Sequence, residues 1–272
     1  MVDIIVIYLA AGLFSGFVSG LFGVGGAFAL APALIITLTL QGVGDTHLMH
    51  LTIATSLATQ LVTAILTSVL RYRAGDLRMP MLFRIAPFVG LGAIIGAAIG
   101  DILPSDVLKI FFMCFIGFSI LRTLMQRPAT VTGEGAQVSD LRGGAFWFLS
   151  IISGISGGLL GPGPAIVLAP LLRRIGFAMP IVSAASAALA GLVGAMAAGG
   201  YIVGGFDEVG LPAHSLGYLY LPGFANLAIG ALVGSPLGIR FSHRVSNKLQ
   251  TRLFVAYLSA VLLTMIFHSL RG

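Results

Sequence analysis

Two glycine-rich breaks interrupt the hydrophobic segments of this chain, one near the start of each half. They read Gly23-Val24-Gly25-Gly26 and Gly161-Pro162-Gly163-Pro164. In lipid, non-helical backbone survives only where it is buried in protein or lines a polar cavity. A helix that starts after such a break offers free N–H groups and the positive end of its dipole, which favour an anion. The breaks therefore predict an anion site formed by Gly23, Gly25, Gly26, Gly161 and Gly163; the alternative is a tight surface turn.

Hydroxyl and amide side chains in the later segments could supply further hydrogen-bond donors. By a spacing of three and four residues, one helical face carries Thr52, Ser56, Thr59 and Thr63. Such hydroxyls often bond carbonyls of their own helix, so a purely local role is the alternative. The amides of Gln60 and Asn226 could equally join helices or contact a substrate. The predicted substrate-binding side chains are Thr55, Ser56, Gln60, Ser186 and Asn226.

Other reactive residue types give no convergent pattern. No Ser/His/Asp or paired-carboxylate arrangement falls within one segment, and the single cysteine, Cys114, is part of no Cys/His metal spacing. The sequence therefore predicts a protein that is not an enzyme and binds no metal or cofactor. His47 and His50 are interpreted as exposed residues at the membrane interface, with a gating or proton role as the alternative. No Lys or Arg is expected at mid-membrane depth.

The composition is that of a membrane protein. Of 272 residues, 57% are hydrophobic and 9% are charged, whereas a soluble domain carries about 25% charged residues. Most of the surface must therefore face the lipid bilayer. The formal charge of +6 lies in short basic clusters between apolar runs, which indicates membrane topology rather than a nucleic-acid partner. The apolar N-terminal stretch lacks a basic n-region and is interpreted as a mature segment.

The elements that must position these residues are predicted to be helices. A membrane-crossing helix needs about 20 apolar residues, and the chain contains ten apolar segments. These are 4–22, 26–40, 48–70, 82–100, 105–125, 143–160, 164–175, 180–203, 217–239 and 249–269. Segments 26–40 and 164–175 are short and follow the breaks, so they are expected to be half-length or re-entrant. The predicted organisation is a first transmembrane repeat at 1–126, a cytoplasmic linker at 127–142 and a second transmembrane repeat at 143–272.

The second half repeats the first with a shift of 138 residues. The stretch SGFVSGLFGVGGAFALAPAL at 15–34 matches SGISGGLLGPGPAIVLAPLL at 153–172, and the glycines at 92, 96 and 100 match those at 230, 234 and 238. Small residues spaced four apart allow helices to approach closely. Internal repeats of this kind are common in transporters.

The distribution of basic loops predicts the orientation of the chain. Lys and Arg cluster at 71–84, 122–142, 173–174 and 240–252, while the loops at 41–47, 101–106 and 204–216 are acidic. Placing the basic loops in the cytoplasm requires each break-containing pair of segments to return to its side of origin. The two repeats then have inverted topology, and both termini lie outside. The predicted fold class is an all-α polytopic membrane protein with two inverted-topology repeats.

Three stretches of the sequence also carry a family resemblance. They are the doubled glycine-rich pattern, IATSLATQ at 53–60 and YRAGDLR at 72–78. In these residues the chain resembles the sulfite exporter TauE/SafE family, also called the 4-toluene sulfonate uptake permeases. The resemblance covers nearly the whole chain outside the linker. It implies a bacterial inner-membrane protein that transports sulfite, sulfonates or other small organosulfur anions. Pro162 and Pro164 stand where the family usually shows Gly–Gly.

These patterns together predict a secondary transporter that exports a small sulfur-containing anion, such as sulfite or sulfoacetate, by alternating access of the two repeats. An uncoupled anion channel and an importer of thiosulfate or organosulfonate are the alternatives, and a membrane interaction subunit or enzyme is a third class. The expected partners are the anion and the lipid bilayer, with no nucleic acid. A homo-oligomer is left open.

Overall fold

The computed structural model describes residues 2–22, 26–125, 141, 143–161, 164–242, 244–245 and 247–271. In that part of the chain the elements are ten helices and one hairpin. They are α1 (Val2–Phe22), α2 (Ala27–Leu40), α3 (Asp45–Arg73), α4 (Met79–Ile102), α5 (Ser105–Met125), α6 (Gly144–Leu160), α7 (Ala165–Ile175), α8 (Met179–Gly204), β1 (Ser215–Leu216), β2 (Leu219–Tyr220), α9 (Leu221–Ser242) and α10 (Asn247–Arg271).

The predicted all-α membrane fold is confirmed. Seven of the described helices are long and apolar enough to cross a membrane, and the chain is a multi-pass membrane protein. The helices that follow the breaks are short, as expected: α2 has 14 residues and α7 has 11. Most of the predicted linker and the residues at the centre of each break lie outside the described residues.

The start of the ninth segment was predicted wrongly. The prediction began at residue 217, but α9 begins at Leu221, after the antiparallel strands β1 and β2. Gly217 turns the chain between these strands with a φ of +54°, a conformation that glycine adopts at little cost. The apolar residues Tyr218, Leu219 and Tyr220 are buried, so hydropathy alone extended the segment through them.

Glycine ladders join the two halves. Helices α1 and α9 approach so closely that a Cβ added to any of six glycines would overlap the backbone of the other helix. These glycines are Gly12, Gly16, Gly20, Gly230, Gly234 and Gly238. The corresponding glycines of α4 and α6 are Gly92, Gly96, Gly154 and Gly158. Each pair of helices therefore packs backbone against backbone, which maximises van der Waals contact in lipid. The pairing is exchanged between the halves, because α1 packs on α9 while α6, the repeat of α1, packs on α4.

The contacts also give the directions of the helices. Successive turns of α1, at Gly12 and Gly16, meet successive turns of α9, at Leu227 and Ala231. These two helices therefore run in the same direction, and the glycine contacts of α4 and α6 advance together in the same way.

The repeat-related helices α3 and α8 pack against each other at the centre and run in opposite directions. Gly194 lies against Leu57, whereas Gly191, one turn earlier on α8, lies against Ala64, further along α3. In their most apolar windows α3 and α8 are 61% and 67% buried, against 22% for α5 and 17% for α10. α3 and α8 therefore form the buried centre of the molecule, whereas α5 and α10 lie at its periphery.

Candidate functional site

Each break is fixed by a serine on the helix that precedes it. The Ser15 hydroxyl donates to the Gly26 carbonyl at 2.7 Å, and the Ser153 hydroxyl donates to the Pro164 carbonyl at 3.0 Å. Both serines are buried. The shift of 138 residues carries Ser15 onto Ser153 and Gly26 onto Pro164, so the same hydrogen bond occurs in both halves. It holds the short helix after the break against the long helix before it.

The two breaks lie next to each other in the fold. Gly161 ends α6 in the left-handed conformation, with a φ of +90°. A Cβ at Gly161 would lie 3.2 Å from the Cβ of Ala27, the first residue of α2. Gly161 and Ala27 are both buried, so the contact lies inside the protein. This contact brings the end of α6 against the start of α2, as an anion site shared between the two breaks would require.

The starts of the two short helices have no side-chain cap. The cap residues are Gly26 before α2 and Pro164 before α7. Neither residue has a side chain that could form a capping hydrogen bond, and none is found there among the described residues. The cap positions therefore give the first N–H groups of the two helices no side-chain acceptor, and the anion site at these helix starts stays a prediction. Of the five glycines predicted to form this site, Gly26 and Gly161 are described, whereas Gly23, Gly25 and Gly163 lie outside the described residues.

Arg122 approaches the second short helix. Its Nη1 donates to the carbonyl of Ile166, the second residue of α7, at 2.7 Å. That carbonyl would ordinarily accept from the N–H of residue 170, which is a proline and has none. Arg122, interpreted from the sequence as part of a basic loop, lies on α5 and replaces the missing helical hydrogen bond.

Three polar side chains in a row on α3 each have a buried atom that makes no hydrogen bond to a described residue. Thr52, Ser56 and Gln60 are each at most 2% exposed. Among the described residues, Thr52 Oγ1, Ser56 Oγ and Gln60 Oε1 have no hydrogen-bond partner. The four-residue spacing places the three side chains on one face over about 12 Å of helix. Native proteins rarely leave buried polar atoms unsatisfied, so this face, which we call the α3 polar row, is suited to a polar ligand.

The neighbouring hydroxyls on α3 bond carbonyls of their own helix, which was the alternative for the whole face. Thr59 Oγ1 donates to the Thr55 carbonyl at 2.9 Å, and Thr63 Oγ1 donates to the Gln60 carbonyl at 2.9 Å. The hydroxyls on this face of α3 therefore fall into two groups. Thr59 and Thr63 have local partners, whereas Thr52 and Ser56 do not.

Gln60 connects α3 to α8 and has one atom left over. Its Nε2 donates to the Ala190 carbonyl at 3.0 Å, so its amide joins helices and its free Oε1 is an acceptor. Ser186 lies one turn before Ala190 on α8 and is 2% exposed, and its Oγ has no partner among the residues with described positions. Because α3 and α8 are antiparallel, Ser186 lies beyond Gln60 in the direction of Thr63. Gln60 and Ser186 thus extend the α3 polar row across the central helix pair.

Two predicted site residues are engaged elsewhere. Thr55 Oγ1 accepts the backbone N–H of Tyr220 at 3.1 Å, which ties the hairpin to α3. Asn226 is half-buried, and its Nδ2 donates to the Pro222 carbonyl, one turn earlier on α9, at 2.8 Å. Neither contact brings these side chains to the α3 polar row.

The interpretation of His50 as an exposed residue is wrong, because the side chain is buried, with 4% of its surface exposed. The connection between α8 and α9, which we call the 205–220 strap, covers it. The Tyr218 ring stacks on the His50 ring with centroids 4.8 Å apart. Burial is the largest cause that raises the pKa of Tyr218 to about 12, and the negative charges of Glu208 and Asp101 add to it. The phenol is therefore protonated and neutral at physiological pH.

A cavity of about 610 Å³ between α1, α2 and α10 does not suit a small anion. Its walls are almost entirely apolar, with Tyr257 and Thr264 as polar contributors. An anion would lose its hydration there with few hydrogen bonds in return.

The fold and the buried polar interior define a polytopic membrane protein with paired broken helices. The family model for "Sulfite exporter TauE/SafE" matches residues 8–265, and the chain belongs to that family of membrane transporters. It is similar to a "Probable membrane transporter protein" of Haemophilus influenzae, with 24% identity over 97% of this chain and 99% of the relative. It is also similar to the "Probable membrane transporter protein YunE" of Bacillus subtilis, with 22% identity over 95% of this chain and 94% of the relative. No solved structure gives a significant match.

Proposed function

We propose that this transporter exports a small sulfur oxyanion or sulfonate, such as sulfite, across the bacterial inner membrane by binding it between the breaks and the α3 polar row. The observation that carries the proposal is the set of buried atoms without partners at Thr52, Ser56 and Gln60. A buried unsatisfied polar atom costs about 1–3 kcal/mol. A bound anion would satisfy the two hydroxyls, so ligand binding offsets a cost that the empty site carries.

The chemistry of these groups fits a partly protonated oxyanion. The hydroxyls of Thr52 and Ser56 can donate to anionic oxygens, and the uncapped starts of α2 and α7 offer further N–H donors. Gln60 Oε1 can accept from a protonated oxygen, as in hydrogen sulfite. Hydrogen bonds to a charged acceptor contribute about 1.5–3 kcal/mol each. A few such bonds without a salt bridge would give moderate affinity, which suits a substrate that must also be released.

We further propose that the two halves are inverted-topology repeats that rock against each other around this site. The exchanged packing of α1 on α9 and α6 on α4, and the opposite directions of α3 and α8, support that arrangement. The basic loops then face the cytoplasm and both termini lie on the periplasmic side. The site lies between the halves, as in other transporters built from repeats with discontinuous helices.

Reconstituted transport tests the proposal. Purified protein in liposomes loaded with sulfite, sulfoacetate, thiosulfate or chloride should release the sulfur anions faster than protein-free liposomes and faster than chloride. Flux that saturates with sulfite concentration is expected for a carrier, whereas linear flux would indicate a channel. Absence of flux for all three sulfur anions, with folded protein in the membrane, would contradict the proposed function.

A further inference from the structure

The 205–220 strap joins the two halves at the end of the molecule that is predicted to face outside. The Tyr220 N–H bonds Thr55 Oγ1, and the Tyr220 hydroxyl donates to Gln41 Oε1 at 2.7 Å. Gln41 Nε2 in turn donates to the Tyr8 hydroxyl at 3.0 Å. Tyr220 belongs to the second half, while Thr55, Gln41 and Tyr8 belong to the first. These bonds must break if the halves separate at this end.

His50 is at the centre of this closed end. Its Nε2 lies 3.1 Å from the Gly100 carbonyl, which can only accept, so Nε2 carries the hydrogen. Nδ1 then holds the lone pair, and it is buried with no hydrogen-bond partner in the part of the chain that the structure describes. The ring is covered on one face by Tyr218, and the edge of Tyr201 lies 6.5 Å away between ring centroids. A proton added to Nδ1 would place a positive charge in this buried setting, which costs free energy, and this cost outweighs the favourable influence of the nearby Leu103 carbonyl and Asp101.

Titratable groups from every neighbouring element lead from solvent to His50. On α3, His47 has its ring centroid 6.3 Å from that of His50, and its Nε2 is 3.8 Å from the half-exposed Glu208 in the strap. Asp101 at the end of α4 lies against Gly204 at the end of α8. The phenols Tyr201 and Tyr218 complete the set. His47 and Glu208 thus offer a proton route, and the two carboxylates could stabilise an imidazolium once water has entered.

We propose that His50 is a proton-binding site, and that a proton taken up there from the outer side releases the 205–220 strap and opens the anion path outward. This inference rests on the proposed function. Protonation destabilises the closed end, because the buried position of His50 disfavours the charged ring. In the open state the imidazolium gains water and carboxylate partners. Anion release to the outside would therefore be coupled to proton binding from that side.

The test measures sulfite efflux from proteoliposomes at an internal pH fixed near 7.5 and an external pH of about 6 or about 8, the range in which histidine titrates. Efflux of the unmodified protein should be about fivefold faster with the acidic exterior. His50→Gln retains an N–H for the Gly100 carbonyl but cannot titrate, so its efflux should not change between the two pH values. His214→Asn is the matched control, because His214 is exposed and has a φ of +65°, which Asn tolerates. Its efflux should keep the dependence of the unmodified protein.

A second measurement does not depend on any variant. A pH-sensitive dye inside the vesicles should report proton entry that accompanies sulfite efflux from the unmodified protein. Efflux without proton movement, or a His50→Gln protein that keeps the full pH dependence, would overturn the proposal. Sulfite binding to detergent-solubilised protein at about pH 8 does not require the outer end to open. Retained binding with pH-independent efflux would therefore refute the proton site while leaving the proposed function intact.

Discussion

Removing an unpartnered hydroxyl from the α3 polar row should have opposite effects on stability and on anion binding. Thr52→Val and Ser56→Ala each delete a buried oxygen that makes no hydrogen bond to any described residue. Because no bond is lost, the free energy of unfolding should stay the same or rise by up to about 2 kcal/mol, as a desolvated polar atom is removed. Thr52→Val also conserves the volume of the side chain, so it leaves no cavity.

Binding should weaken in the same variants. A hydrogen bond to a charged acceptor contributes about 1.5–3 kcal/mol, and each 1.4 kcal/mol corresponds to about tenfold in Kd. The Kd for sulfite should therefore rise by about 10- to 150-fold in Thr52→Val and in Ser56→Ala. Isothermal titration of sulfite into detergent-solubilised protein gives the Kd, and denaturant unfolding in the same detergent gives the stability.

Thr59→Val is the matched control. Thr59 lies on the same helix and is equally buried, at 1% exposed, but its hydroxyl bonds the Thr55 carbonyl. Its removal should cost about 0.5–1.5 kcal/mol of stability and leave the Kd for sulfite unchanged. The reasoning is refuted if Ser56→Ala destabilises the protein as Thr59→Val does while the Kd stays constant, because Ser56 would then be a structural hydroxyl.

Two further predictions concern the packing that holds the site. Gly234→Leu should separate α1 from α9, because a Cβ there would overlap the Leu13 carbonyl, and it should reduce the free energy of unfolding by about 3 kcal/mol or more. The control is Gly117→Leu on α5, where an added Cβ meets open space, and this variant should keep its stability. An equal loss of stability in both variants would contradict the close packing of α1 on α9. Arg122→Gln should lower stability by about 1–3 kcal/mol, since the partly buried Ile166 carbonyl loses its charged donor. Arg122→Lys should lose less, and indistinguishable thermal unfolding of all three proteins would argue against a stabilising role of this hydrogen bond.

Much of the fold could be predicted because lipid imposes simple rules on sequence. Apolar runs of about 20 residues between loops rich in Lys and Arg mark spans, and the predicted segment 105–125 coincides with α5. The error at α9 arose where the rule fails. Tyr218, Leu219 and Tyr220 are apolar enough to extend a span, but they belong to a hairpin buried by protein rather than by lipid.

The candidate site was predictable in part. The repeat placed Ser15 on Ser153, a signal that these serines share a role, but their hydrogen bonds at the breaks were missed. Whether a hydroxyl bonds its own helix depends on rotamers and neighbours, so Ser56 and Thr59 could not be told apart from sequence. The burial of His50 depends on a strap that follows it by some 150 residues, and local hydropathy carries no information about that contact.

The most direct test of the α3 polar row as the anion site is to locate a heavy-atom analogue of the substrate. Selenite has the shape and charge of sulfite, and selenium gives an anomalous signal in a crystal. An anomalous peak within hydrogen-bonding reach of the Thr52 and Ser56 hydroxyls, and lost in the Ser56→Ala protein, is the expected result. A well-occupied peak elsewhere in the protein, unaffected by Ser56→Ala, would contradict the central claim.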